Sequence, residues 1–343
     1  MKKYIIIAIA ALLAAACTKV TSISTGEEQA ITFKTINYVL NTKAEAYTGG
    51  AFGVNAFWTP TDWATDGAAN PYFNDNEKVV HGPSYAPGEW GPESEYFWPK
   101  TGKITFAAYS PWKATGFPGF DALQKCYVYN GYQIPATADE DLMFADIIAD
   151  QTQNVPQYQL SGNTDGVPIL FRHVLSKIGF LFKTVENPNP NATSTVIIKT
   201  VKILNINNSG DYNQNDNAWS NQDGTITYSY NDTDFEIAPA DDPASPSVGS
   251  LILMPQSLSA TTAASEGQQL ELAYTIVTVR NGVTYNEDVT AKVDITTTEI
   301  PAWGPNQSIV YTITISPVSD TPILFDPAVA DWTEVSGTIS LDR

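Results

Sequence analysis

Along most of the chain, apolar and polar positions alternate every second residue. In QSIVYTITIS, Ile309, Tyr311, Ile313 and Ile315 share one face, and Val310, Thr312 and Thr314 take the other. That is the pattern of a strand with one buried face. QLELAYTIVTV alternates in the same way through Leu270, Leu272, Tyr274 and Ile276. Two denser runs, VIIKTVKILNI (196–206) and SKIGFLFKT (176–184), predict strands covered on both faces or lying at a sandwich core. KITFAAYSPW (103–112) reads as a strand stopped by Pro111. ADEDLMFAD (138–146) is the one helix candidate, and its order suits a loop running into a strand equally well. Clusters of Gly, Pro and Asn (NPNPNAT, NNSGDYNQNDN, APADDPASPS) punctuate the runs. Short strands with frequent turns predict an all-β protein built from β-sandwiches. Two β units are expected. The first runs from about Ile31 to Gln157, and the second begins near Val167 after the polar stretch QYQLSGNTDG.

The alternation is absent at the start, MKKYIIIAIAALLAAACTKV. Lys2 and Lys3 precede an uncharged run, Tyr4 to Ala16, that ends in three alanines and Cys17. This is a secretory signal with a lipoprotein-type cleavage site, and the run is short for a membrane span. Export, cleavage before Cys17 and a lipid such as palmitate on its sulfur are therefore expected.

Composition narrows the function. The formal charge is −19, from 18 Lys and Arg against 37 Asp and Glu. Such a surface repels phosphates and argues against nucleic acid as a partner. Cys126 is the one cysteine besides Cys17, and its setting, KCYVYN, predicts a small core residue. His81 and His173 are the two histidines, too few for zinc sites or Ser/His/Asp machinery. No enzyme activity, cofactor or metal is expected. His173 is read as a hydrogen-bonding anchor at a strand start, with no carboxylate partner evident beside it. DYNQND (211–216) loosely resembles a calcium loop, but Asp216 stands where glycine is needed and Gln222 where glutamate is needed. The consecutive carboxylates of ADEDL would point to opposite faces of a strand and make a poor catalytic pair. Trp58, Trp63, Trp90, Tyr96 and Trp98 lie in loop-like sequence, where they could stack on sugars or pack loops onto a sandwich.

Both ends carry candidate assembly elements. After Trp332, Val335, Gly337, Ile339 and Leu341 share one parity, and Ser336, Thr338 and Ser340 take the other. Such a strand either closes the chain's own sheet or acts as a donor in a groove of the next molecule, with alternate side chains filling pockets. Near the other end, Ile31 and Phe33 lie on one parity and Ile36, Tyr38 and Leu40 on the other, which predicts a bulge or bend in an edge strand. Lys43 and Ala44 follow in the polar stretch NTKAEA, which suits a trypsin-like protease. Cutting there would release the lipid anchor and the first strand together and leave an unpaired groove.

Taken in order, these residues resemble the fimbrillin family of Bacteroidales, the Mfa-like subunits of type V pili. The resemblance covers nearly the whole chain. Its pieces are the lipoprotein signal, Ile31 and Phe33, Lys43-Ala44, F-x-V (Phe52, Val54), Y-x-W-P (Tyr96 to Pro99) and F-x-A-Y-x-P (Phe106 to Pro111). They continue with D-L-M (Asp141 to Met143), F-x-H-x-L-S-K-I (Phe171 to Ile178), M-P-Q (Met254 to Gln256), Trp303 to Ile315 and V-x-D-W (Val329 to Trp332). The resemblance implies two transthyretin-like Greek-key β-sandwich domains in tandem. It implies a signal peptide over 1–16, a lipidated and removable segment over 17–43, and sandwiches over 44–165 and 166–343. It further implies cleavage between Lys43 and Ala44 by a Lys/Arg-specific protease, and polymerisation through a donor strand carrying Val335, Gly337, Ile339 and Leu341. The expected partners are other fimbrial subunits, that protease, the outer membrane through Cys17, and a host or bacterial surface ligand. The expected role is a surface fimbrial subunit in adhesion. The alternatives are a tip or anchor subunit that donates no strand, and a glycan-binding surface lipoprotein.

Overall fold

The computed structural model describes residues 29–37, 47, 49–81, 90–153, 166–230, 234–237, 247–318 and 324–332. These residues are nearly all β, as the alternation predicts. In chain order the first strands are β1 (Phe33–Asn37), β2 (Phe52–Thr59), β3 (Glu77–Val80), β4 (Gly91–Pro92) and β5 (Lys103–Ser110), with one short helix, α1 (Trp63–Asp66), after β2. The side chain of Asp62 caps α1 by accepting from the Thr65 amide at 2.8 Å. Next come β6 (Gly119–Asp121), β7 (Cys126–Gln133), β8 (Met143–Ala145), β9 (Ile148–Gln151) and β10 (Val167–His173). ADEDLMFAD is thus a loop running into β8. The remainder is β11 (Ser176–Thr184), β12 (Ala192–Asn213), β13 (Ala218–Ser229), β14 (Phe235–Ile237), β15 (Ser247–Leu253), β16 (Gln269–Arg280), β17 (Val283–Asp294), β18 (Gln307–Ile315) and β19 (Leu324–Asp331).

Among the described residues the strands form three sheets. The first has the order β1-β10-β8-β5-β2-β3-β4, with β9 on β5. A small sheet has the order β15-β11-β18-β19, and a large one β17-β16-β12-β7-β6, with β13 and β14 on β12. Sheet membership does not follow chain order. β6 and β7 join β12, while β10, beyond residue 165, pairs in parallel with β1. The long β12 makes this possible. Its first half pairs with β16 and its far end reaches β7; its first register shift against β13 falls between Ile203 and Ile206, and its shift against β7 between Gly210 and Tyr212. At the first shift Asn205 adopts φ 62° and its side chain donates to the Gly267 carbonyl at 2.8 Å, as a bulge residue with an amide side chain can.

Two cores result. One fills the inner face of the first sheet with Ile31, Phe33, Phe52, Val54, Phe106 and Phe171. The other lies between the small and large sheets around Phe180, Ile203, Leu272, Tyr311 and Trp303, and extends under the first sheet through Tyr109, Tyr127 and Phe144. The faces read from sequence are the buried ones: Leu270, Leu272, Tyr274 and Ile276 of β16, and Ile309, Tyr311, Ile313 and Ile315 of β18. Cys126 is free and fully buried, and burial pushes its thiol pKa up.

Candidate functional site: the first strand and the root of the tail

The first strand is held on both flanks, so it is not the edge strand expected from its sequence. Residues 29, 31 and 33 bond to the segment 90–98. Phe33 exchanges two backbone hydrogen bonds with Trp90, at 2.7 and 2.9 Å, and the Ile31 amide donates to the Tyr96 carbonyl at 2.9 Å. Even residues face the other way, and the Val167 amide donates to the Thr32 carbonyl at 2.8 Å. Residues 29–37 therefore close the first sheet on itself, between β10 and the stretch containing β4. Burial alternates along the strand. Ile31, Phe33 and Thr35 are buried, and Thr32 and Lys34 are half-buried. The Phe33 ring sits edge-on to Phe106, Phe52 and Phe73, with centroids 5.3, 6.1 and 6.3 Å away.

Just past residues 38–46, Tyr47 is buried against Trp90 and Phe171, at 5.4 and 5.1 Å. Its hydroxyl pairs with the Ser110 hydroxyl. The chain is thus anchored on both sides of the stretch that contains Lys43 and Ala44. Lys43, Ala44, Cys17, and the tail residues Val335, Gly337, Ile339 and Leu341 lie outside the described residues.

Three pieces of sequence far apart in the chain meet where the tail begins. His173 ends β10, whereas the sequence placed it at a strand start. Its Nδ1 lies 2.9 Å from Asp141 Oδ1, a carboxylate partner invisible in the local sequence. The imidazole stacks on the Trp332 indole, with centroids 4.1 Å apart and planes 6° apart. Lys177 Nζ stands 5.8 Å from the centre of the same indole. The Trp332 amide donates to the Asn306 carbonyl at 2.9 Å, and the Asn306 amide to the Leu175 carbonyl at 3.1 Å. Trp332 is 5% exposed. The aromatic stack and cation contact fix the point where residues 333–343 begin to the end of β10, whose residues Val167 to Phe171 pair with the first strand.

The other carboxylates of ADEDL are engaged elsewhere. Asp139 accepts from the Thr137 hydroxyl at 2.5 Å, and Glu140 pairs with Lys113 at 2.6 Å and accepts from the Tyr132 hydroxyl at 3.0 Å. In DYNQND, Asp211 accepts from the Asn221 side chain and the Gly131 amide, which together hold its carboxyl below the usual range. Asn213 caps the amides of Asn215 and Asp216. Among the described residues no group of three or more His, Cys, Asp or Glu is placed to hold a metal, and no helix is long and apolar enough to cross a membrane.

Residues 22–332 match the profile of the fimbrillin-like family. The chain belongs to that family. The match ends at Trp332, the residue that seats the root of the tail. The same fold is seen in solved structures. A fimbrial protein from Bacteroides vulgatus ATCC 8482 is 18% identical and superposes with a TM-score of 0.65, over 89% of this chain and 100% of that one. A candidate cell adhesion protein from Bacteroides uniformis ATCC 8492 is 19% identical with a TM-score of 0.50, over 89% of this chain and 98% of that one. At these identities the likeness is one of fold. No curated protein matches the chain significantly.

Proposed function

We propose that this fimbrillin-like chain is a structural subunit of a cell-surface fimbria, exported as a lipoprotein on Cys17, cut between Lys43 and Ala44, and assembled by strand exchange. One observation carries the reading: residues 29–33 bond on one flank to the segment 90–98, residues 32–37 bond on the other to β10, and Ile31 and Phe33 project into the first core. Loss of residues 29–37 leaves two facing unpaired strand edges and vacated apolar pockets. This slot accepts an extended segment with apolar side chains of one parity. Val335, Ile339 and Leu341, with Gly337 between them, have that parity and form the donor. The tail starts from a fixed root at Trp332, so the donor begins at a defined place on the subunit. Adhesion is then a property of the assembled fimbria at the outer membrane surface.

The test is an unheated SDS gel of the chain before and after limited trypsin, with mass spectrometry to locate the cut. A ladder that appears only after cleavage at Lys43, and is lost when 335–343 are deleted, is the expected result. Complete cleavage at Lys43 with monomer alone, or an unchanged ladder from the deletion variant, overturns strand exchange by this tail.

A further inference from the structure

At one end of the first sheet lies a shallow cavity of about 410 Å3 lined by Trp58, Asn70, Pro71, Tyr72, Pro99 and Thr101. We propose that it is a carbohydrate subsite that takes a neutral pyranose ring. This site is separate from the assembly elements and stands whether or not strand exchange occurs.

The two aromatic side chains are fixed by their polar ends, and the Tyr72 ring also packs on the first core beside Phe73. Trp58 Nε1 donates to the Thr101 carbonyl at 2.9 Å, and the Tyr72 hydroxyl donates to the Phe97 carbonyl at 2.5 Å. The backbone locks the pair together. The Trp58 amide donates to the Asn70 carbonyl at 2.9 Å, and the Tyr72 amide to the Ala56 carbonyl at 2.7 Å. Gly102 completes the seat. It has φ 78°, and a Cβ there would fall 2.4 Å from Trp58 Nε1 and 2.7 Å from the Thr59 carbonyl, so only glycine lets the indole lie where it does. Trp58 has the core-facing parity of Phe52, Val54 and Ala56 but stands half-buried at the end of the strand. Its ring is therefore held rigidly at the surface of a core and not sunk into it.

A pyranose fits this chemistry. Its C–H face is apolar and weakly positive at hydrogen, which complements the negative face of an aromatic ring. Its hydroxyls need donors and acceptors at the rim. The exposed Asn70 and Thr101 supply them, because both make their contacts to Trp58 through backbone carbonyls and keep the side-chain amide and hydroxyl for a ligand. All six lining residues are uncharged, which selects a neutral sugar, and the net charge of −19 adds repulsion against acidic glycans. The volume lies within the roughly 300–1,000 Å3 of small-molecule sites. The other aromatic candidates do different work. Trp90 is buried against Tyr47 and Phe52, and Trp98 packs on Phe106.

The experiment titrates the full-length chain in mild detergent with neutral gluco-, manno- and galacto-oligosaccharides and with sialylated and uronic-acid glycans. Indole fluorescence and calorimetry are the readouts. At least one neutral oligosaccharide should bind saturably, and Trp58→Ala should weaken it at least tenfold with the melting transition retained. Asn70→Ala and Thr101→Ala leave the backbone contacts intact and guard against a folding defect in the tryptophan variant. Each should weaken binding about threefold or more. Absence of binding to every neutral glycan, binding to acidic glycans alone, or affinity unchanged in both Trp58→Ala and Asn70→Ala overturns the proposal.

Discussion

Phe33→Ala tests whether the first strand is a structural keystone of the first core. Phe33 is fully buried, with three rings packed edge-on around it at 5.3 to 6.3 Å. Replacing a buried phenylalanine by alanine lowers stability by about 3–5 kcal/mol, through the transfer energy of the ring and the cavity left behind. Each edge-on pair contributes about 0.5–1.5 kcal/mol beyond simple burial, which places this site toward the upper part of that range. The backbone bonds to Trp90 remain, so the strand stays in register but is held less tightly. Since about 1.4 kcal/mol is a factor of ten, its detachment becomes at least a hundredfold more frequent. Native-state hydrogen exchange reads this directly. The Trp90 amide bonds to the Phe33 carbonyl and the Val167 amide to the Thr32 carbonyl, so both exchange only when the strand leaves. Both should lose protection together in Phe33→Ala, while Lys34→Ala, half-buried on the other face, should change stability by less than about 0.5 kcal/mol. Unchanged protection at Trp90 and Val167, or a destabilisation below about 1 kcal/mol, would refute the reasoning.

Other predictions follow from the same packing. Trp332→Ala should destabilise the small sheet by about 3–5 kcal/mol, and a double-mutant cycle with His173→Ala should show a coupling of about 0.5–1.5 kcal/mol; additive denaturation free energies would rule out the stack as an energetic link. Gly53→Ala should be destabilising by about 1–3 kcal/mol in thermal melts, because a Cβ there meets the Tyr109 ring at 2.2 Å. Glu271 is held below its ordinary value of 4.5, first by its hydrogen bond from Lys202 and then by Lys292. Its contribution is present above pH 4.5 and is lost as pH falls through the lower folded value, so Glu271→Gln should flatten the acid limb of a stability–pH profile. Burial raises Tyr311 to about 12, partly offset by the hydrogen bond from Trp303. A raised folded value means stability is complete below pH 10 and declines as pH rises toward 12, so ultraviolet titration should show Tyr311 ionising only as the fold is lost.

The sequence by itself determined the class of the protein and the buried faces of its strands. Period-two alternation is a local property, and burying one face of a strand needs only the side chains of that strand. β16 and β18 were legible for this reason; β11 was legible as a dense apolar run, and Cys126 by its aromatic setting. Wherever the identity of the neighbour mattered, the local pattern was silent. The switch of parity after Phe33 resembles an edge strand, yet the curl of the first sheet brings residues 90–98 to its free side. His173 lacks a carboxylate nearby in sequence, yet Asp141, 32 residues away, reaches its ring, and Trp332 stacks on it. Trp58 and Trp90 read alike as loop aromatics, but one lines a surface cavity and the other fills a core, because sheet closure buries Trp90 beside Phe33 while Gly102 holds Trp58 at the rim. Sheet membership is the same kind of fact. β7 pairs with β12 and β10 with β1, by geometry and not by chain order. Hydrogen bonding between strands is indifferent to the residues bonded, so only the tertiary packing of two cores decides which strands become neighbours.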